Sequence, residues 1–142
     1  MGSKIVIGVV AGALLLGTYY VEDVLDSEDA RKVQALTGPE ALTWLRKSTN
    51  ESALASNRFP TTQDAIKFVR QLYDQGALRV IVPEEAIRDD GDEVYADALV
   101  VTLPSEKSRR GGVWQLCAKE IQREGEKPGD GTAESHVFLW WD

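Results

Sequence analysis

The chain has one cysteine, one histidine and one methionine among its 142 residues. A single thiol, Cys117, excludes an intramolecular disulfide and any metal site built on paired cysteines. A single imidazole, His136, leaves no material for a multi-histidine zinc centre, and a hydrolytic triad would have to be assembled around that one ring. Basic residues are also in deficit: 16 Lys and Arg against 23 Asp and Glu leave a net charge of −7. Phosphate backbones are held by basic surfaces that release counterions, so this balance argues against a nucleic-acid partner and against flat adhesion of the domain to anionic lipid. No cofactor motif occurs and none is expected to be bound. The one glycine pattern that resembles a dinucleotide turn, in KIVIGVVAG, spaces Gly8 and Gly12 as GxxxG rather than GxGxxG, and no second parallel βαβ unit follows.

What the sequence does contain is one uncharged run, Ile5 to Val21. As a helix it spans roughly 25 Å, near the thickness of about 30 Å of a hydrocarbon core. Tyr19 and Tyr20 are suited to the membrane interface at its end. Residues 1–21 are therefore expected to form a transmembrane anchor, with a cleaved secretory signal as the competing reading. Lys4 gives the basic start that a signal needs, but the small residues of Ala13 to Gly17 lie inside the apolar run and offer a poor cleavage site. Lys4 and the terminal amine precede the run, Glu22, Asp23, Asp26, Glu28 and Asp29 follow it but contribute little, and Arg31 and Lys32 oppose from the far flank. Retained positive charge at the start predicts a cytoplasmic N-terminus and an extracytoplasmic domain. With cleavage, the same domain is secreted or periplasmic. Gly8 and Gly12 would let two such helices pack closely.

Residues 22–50 read as a helical linker that packs on the domain. Glu22 to Ser48 is helical in pattern, with a break at Thr37-Gly38-Pro39-Glu40 and a short second helix carrying Ala41, Leu42, Trp44 and Leu45; Pro39 suits its first position and Glu40 its first turn. Asn50-Glu51-Ser52 matches a glycosylation acceptor. Residues 51–142 form the domain proper. Ser52 to Phe59 alternates weakly as a first strand. Thr61 and Asp64 mark a capped helix start and Gly76 its end, so Thr62 to Gln75 is a helix with Ala65, Phe68, Val69 and Leu72 on one face. Ala77 to Val82 is a β-branched strand, Pro83 to Glu93 a connection and Val94 to Leu103 a second strand. A helix follows Pro104-Ser105-Glu106, carries Val113, Trp114, Cys117 and Ile121, and stops at Gly125; His136 to Trp141 is the last strand. The order (β)αββαβ predicts an α+β domain of the ferredoxin-like plait type, or a three-stranded α+β sheet if the first strand is missing.

The last strand is apolar on both faces. Val137, Leu139 and Trp141 point one way and His136, Phe138 and Trp140 the other, so one face must meet something besides the two plait helices. The helix bearing Trp44 is the favoured cover, and a protein partner or second copy the alternative. His136, Phe138 and Trp140 are accordingly the candidate partner interface. A second candidate is Lys107, Arg109, Arg110, Gly111 and Gly112, where positive charge, glycine and free N–H groups at a helix start suit a small anion; a solvated basic face is the plainer account. The acidic group Glu84, Glu85, Asp89, Asp90, Asp92 and Glu93 lacks calcium-loop spacing, so no metal site is expected. Cys117 lies on an apolar stripe and is expected to be buried, and His136 to be a sheet residue without a catalytic partner. The four Trp admit sugar stacking, but packing is the commoner use of such positions. The sequence thus carries no catalytic signature. It points to a membrane-anchored interaction or accessory module, with small-anion sensing as the alternative class.

Overall fold

The computed structural model describes residues 36–132 and 134–141. The anchor expected over Ile5 to Val21, its Gly8 and Gly12 contact and the first part of the linker lie outside the described residues. Among the described residues, no helix is long and apolar enough to cross a membrane. The elements in chain order are α1 (Ala41–Lys47), α2 (Thr62–Asp74), β1 (Arg79–Ile81), a 3₁₀ turn (Glu84–Ala86), β2 (Ile87–Asp89), β3 (Val94–Ala96), β4 (Ala98–Thr102), α3 (Lys107–Arg123) and β5 (His136–Trp140). The domain is α+β, with antiparallel sheets.

Helix α2 forms where the caps and the apolar period agree. The Thr61 hydroxyl accepts from the Asp64 N–H at 3.1 Å, and Ala65, Ile66, Phe68, Val69 and Leu72 are buried along one face. It stops because Gly76 adopts φ +116°, which lets the N–H groups of Gly76 and Ala77 close on the carbonyls of Tyr73 and Leu72, both at 2.9 Å. Helix α1 starts at Ala41, two residues later than the Pro39 start that the sequence pattern suggests. Glu40 is its N-cap rather than a first-turn residue, its carboxylate accepting from the N–H groups of Leu42 (3.0 Å) and Thr43 (2.8 Å).

The sheet has the order β1-β4-β5, antiparallel throughout. The expected strand over Ser52 to Phe59 does not form: Leu54 makes one isolated parallel bridge with Ala96, and the chain then turns at Ala55, which has φ +42°. The Thr62 hydroxyl donates to the Asn50 carbonyl at 2.6 Å and accepts from the Ala53 N–H at 2.9 Å, drawing 50–53 to the start of α2 instead of into a ladder. A complete plait needs that strand between the partners of its second βαβ half. Here β5 pairs directly and antiparallel with β4, so the three-stranded sheet is the arrangement found. Pro83 to Glu93 is also more than a connection. Ile87–Asp89 pairs with Val94–Ala96 as a separate hairpin, which divides the single strand expected over Val94 to Leu103 at Asp97.

One core runs under the sheet. Leu45 of α1, the apolar face of α2, Val113 and Cys117 of α3, and Val80, Leu99, Val101, Val137 and Leu139 of the sheet belong to a single buried cluster. Each large apolar side chain buried this way contributes about 1.5–3 kcal/mol. Phe59, Phe68 and Trp141 meet at its end, Phe59 lying 5.2 Å from Phe68 and 5.3 Å from Trp141 between ring centroids. Trp44 packs against this same cluster, on the helical side, so it is not the cover that was expected for Phe138 and Trp140.

Candidate functional site

Strand β5 presents two unlike faces and an open edge. Its burial alternates, with Val137 and Leu139 in the core and His136, Phe138 and Trp140 exposed. Phe138 is 50% exposed and Trp140 52%, the most exposed aromatic side chains among the described residues. Register sets Thr102 opposite His136, Val100 opposite Phe138 and Ala98 opposite Trp140. Val100 and Ile81, neighbours on that face, are 3% and 4% exposed, so the two rings flank a buried apolar floor.

The same alternation governs the backbone. Leu103 N–H donates to the Ser135 carbonyl and Trp141 N–H to the Asp97 carbonyl, both at 2.9 Å. In an antiparallel ladder, hydrogen-bonded residues recur every second position. Ser135, Val137, Leu139 and Trp141 therefore bond to β4, and the N–H and C=O groups of His136, Phe138 and Trp140 point away from the sheet. The three residues with exposed side chains are those with outward backbone. The opposite edge is treated differently. Val82 N–H donates to the Pro39 carbonyl and Glu84 N–H to that of Thr37, both at 2.9 Å, while Val80 N–H donates to the Tyr73 hydroxyl at 3.0 Å. The chain covers its β1 edge and leaves its β5 edge unpaired among the described residues.

Beside that edge, between β5 and the C-terminal half of α3, runs a groove of about 590 Å³. Phe138 and Trp140 form one wall, and Ile121, Glu124, Glu126 and Lys127 the other. At its base Glu120, 5% exposed, accepts from Arg58 Nε at 2.7 Å, from Arg58 Nη2 at 2.9 Å and from the Trp141 indole N–H at 3.0 Å. The sequence reading passed over Glu120. The signal was there: Val113, Cys117 and Glu120 recur at helical spacing, so the apolar face of α3 carries one carboxylate, which needs a buried partner.

The other candidate residues separate. His136 contacts Ser135, with Oγ 2.9 Å from Nδ1, and burial pushes its pKa down. Lys107 and Arg109 are exposed at the start of α3, and Gly111 faces open space. Gly112 backs onto the Gln75 side chain. Arg110 donates to the carbonyls of Pro104 (3.0 Å), Gly131 and Glu134, so its guanidinium clamps the loop before β5. The acidic hairpin holds itself: Asp89 accepts from the Gly91 N–H and Asp90 from the Glu93 N–H, both at 3.0 Å. Among the described residues, no acidic, histidine or cysteine group is arranged to hold a metal. Cys117 is fully buried, and burial followed by the charge of Glu120 pushes its thiol up to about 12. Asn50 Nδ2, the would-be glycan acceptor, donates to the Val94 carbonyl at 3.2 Å. Of the four Trp, Trp141 is core and Trp44 and Trp114 pack against it; Trp140 alone is exposed.

No family model, curated protein or solved structure matches the chain.

Proposed function

We propose that the chain is a membrane-anchored interaction module that displays its α+β domain outside the cytoplasm and contacts a protein partner through the β5 face. The observation that carries this reading is the pair Phe138 and Trp140, half-exposed on an edge strand whose alternate residues Val137 and Leu139 are buried. Exposed aromatic rings at a strand edge combine apolar area with open hydrogen-bonding groups, the combination used in protein recognition. The location rests on the Ile5 to Val21 run and on Lys4 before it. The small-anion alternative is the weaker reading, because Arg110, one of its two arginines, is occupied by three carbonyl groups.

The test is a photo-reactive amino acid placed at position 140 of the full-length chain in its native cells, with position 119, exposed on α3, as control. The expected result is a discrete adduct from position 140 that stays with the membrane pellet after alkaline extraction. Adducts equally abundant from position 119, or none from either, would count against the interface. Release of the uncut chain into the alkaline supernatant would remove the anchor.

A further inference from the structure

We infer that the β5 edge receives an extended, basic peptide segment, which adds to the sheet as a fourth strand beside β5; this rests on the interface reading above and names the kind of partner. Three observations converge. First, His136, Phe138 and Trp140 direct their backbone groups outward, and only an extended chain offers donors and acceptors at the matching repeat. Second, this edge carries none of the features that normally keep a strand edge from pairing. His136–Trp140 contains no lysine, proline or bulge, whereas the β1 edge is closed by Thr37 to Glu40 and by the Tyr73 hydroxyl. Third, the groove sets the chemistry of the incoming side chains. On one side Phe138 and Trp140 offer apolar contact, and on the other Glu124 and Glu126 outnumber Lys127. Alternate residues of an added strand point to opposite faces. One set would lie over the aromatic rings and the other beside the carboxylates, so the fitting sequence alternates apolar with lysine or arginine.

Charge also decides against a second copy of this chain as occupant. Each copy carries −7 and would bring its own Glu124 and Glu126 to the joint.

The experiment uses the full-length chain in detergent micelles and two labelled nine-residue probe peptides, one alternating valine with lysine and arginine, the other alternating valine with glutamate. The expected result is saturable binding of the basic probe, at least tenfold tighter than the acidic one. Amide exchange should slow at Phe138 and Trp140 and stay unchanged at Val137 and Leu139, which already bond to β4. Phe138→Lys, a change at a half-exposed side chain, should weaken binding at least tenfold, and Glu126→Lys should narrow the difference between the probes. Equal binding of both probes, or binding without slowed exchange at Phe138 and Trp140, would overturn the inference. So would slow exchange at those two amides in the free chain, which means its own residues fill the edge, or a concentration-dependent doubling of mass without probe, which gives the edge to a second copy. A membrane-retained adduct from position 140 together with failure of the basic probe would leave the interface standing and remove only this account of its partner.

Discussion

Arg58 and Glu120 lie 62 residues apart in sequence and face each other as a two-pronged ion pair, Nε to Oε1 at 2.7 Å and Nη2 to Oε2 at 2.9 Å. The guanidinium also lies over the Phe59 ring, 4.5 Å from its centroid. This pair joins the turn after Ala55 to α3, and through the Trp141 indole it reaches the end of the sheet. Among the described residues it is the one place where a charge enters the core, and its partners satisfy it fully, since no buried side-chain polar atom there lacks a hydrogen bond.

Arg58→Ala should therefore destabilise the domain by about 3 kcal/mol, because the Glu120 charge stays buried with its main partner gone. Acid should act through the same group. Burial pushes the Glu120 carboxyl up, but the hydrogen bonds from Arg58 and Trp141, with the charges of Arg58 and Arg123, outweigh it and hold the carboxyl below its ordinary value. A lowered folded pKa gives stability that is complete above the unfolded value of about 4.3 and is lost as pH falls through the folded one. Urea midpoints from pH 7 to pH 3 should fall steeply in the parent and less steeply in Glu120→Gln. Glu40, lowered in the same direction, keeps some slope in the variant. Equal slopes in the two proteins would contradict the assignment.

Tyr73→Phe should cost about 2 kcal/mol, since the Tyr73 hydroxyl donates to Glu40 Oε2 at 2.7 Å and accepts from the buried Val80 N–H. Burial first, then the hydrogen bond to Glu40, push the phenol up to about 12. With the folded value raised, its stabilisation is present below the unfolded value of about 10 and is lost as pH rises toward 12. Ultraviolet titration at 295 nm should show a late-ionising phenol that disappears in the variant. An unchanged titration curve would dissociate Tyr73 from that behaviour.

Gly131→Ala should destabilise more than Gly129→Ala. Both glycines have positive φ, +74° and +60°, so each pays the left-handed backbone penalty of about 1 kcal/mol. A methyl at Gly131 would also fall inside the Trp114 indole, while one at Gly129 meets nothing within 4 Å. Thermal melts of the two variants decide it; equal losses would mean that the Trp114 packing does not constrain the loop.

Cys117 should resist thiol reagents in the folded protein and react at the rate of a free cysteine once the chain is unfolded in urea. Its side chain is fully buried and its thiol is pushed up to about 12, leaving almost no thiolate at neutral pH. Fast labelling without denaturant would show that α3 opens readily from the sheet.

Helices were the most legible part of the sequence. Thr61, Asp64 and Gly76 are local signals, and local hydrogen bonds realise them, so α2 lies at Thr62–Asp74, within one residue of the expected range. Strand pairing was harder to read because the partner of each strand lies far along the chain. Ser52 to Phe59 alternates like a strand, yet the Thr62 hydroxyl and the Ala55 turn take its backbone groups elsewhere. The β2–β3 hairpin was hidden because three-residue strands are too short for alternation to show. Glu120 had a signal in its spacing, but its partner Arg58 had none.

By itself the sequence determined what depends on composition and on near neighbours. These include the scarcity of cysteine and histidine, the apolar run of Ile5 to Val21, the boundaries of α2 and the two-faced character of His136 to Trp141. Only the tertiary structure decided which face of β5 met the core, that Arg110 would hold a loop, and that, among the described residues, the β1 edge would be covered while the β5 edge stayed unpaired. Hydrogen-bond pairing and burial are properties of surfaces brought together from distant parts of the chain. No stretch of local sequence holds both halves of such a contact.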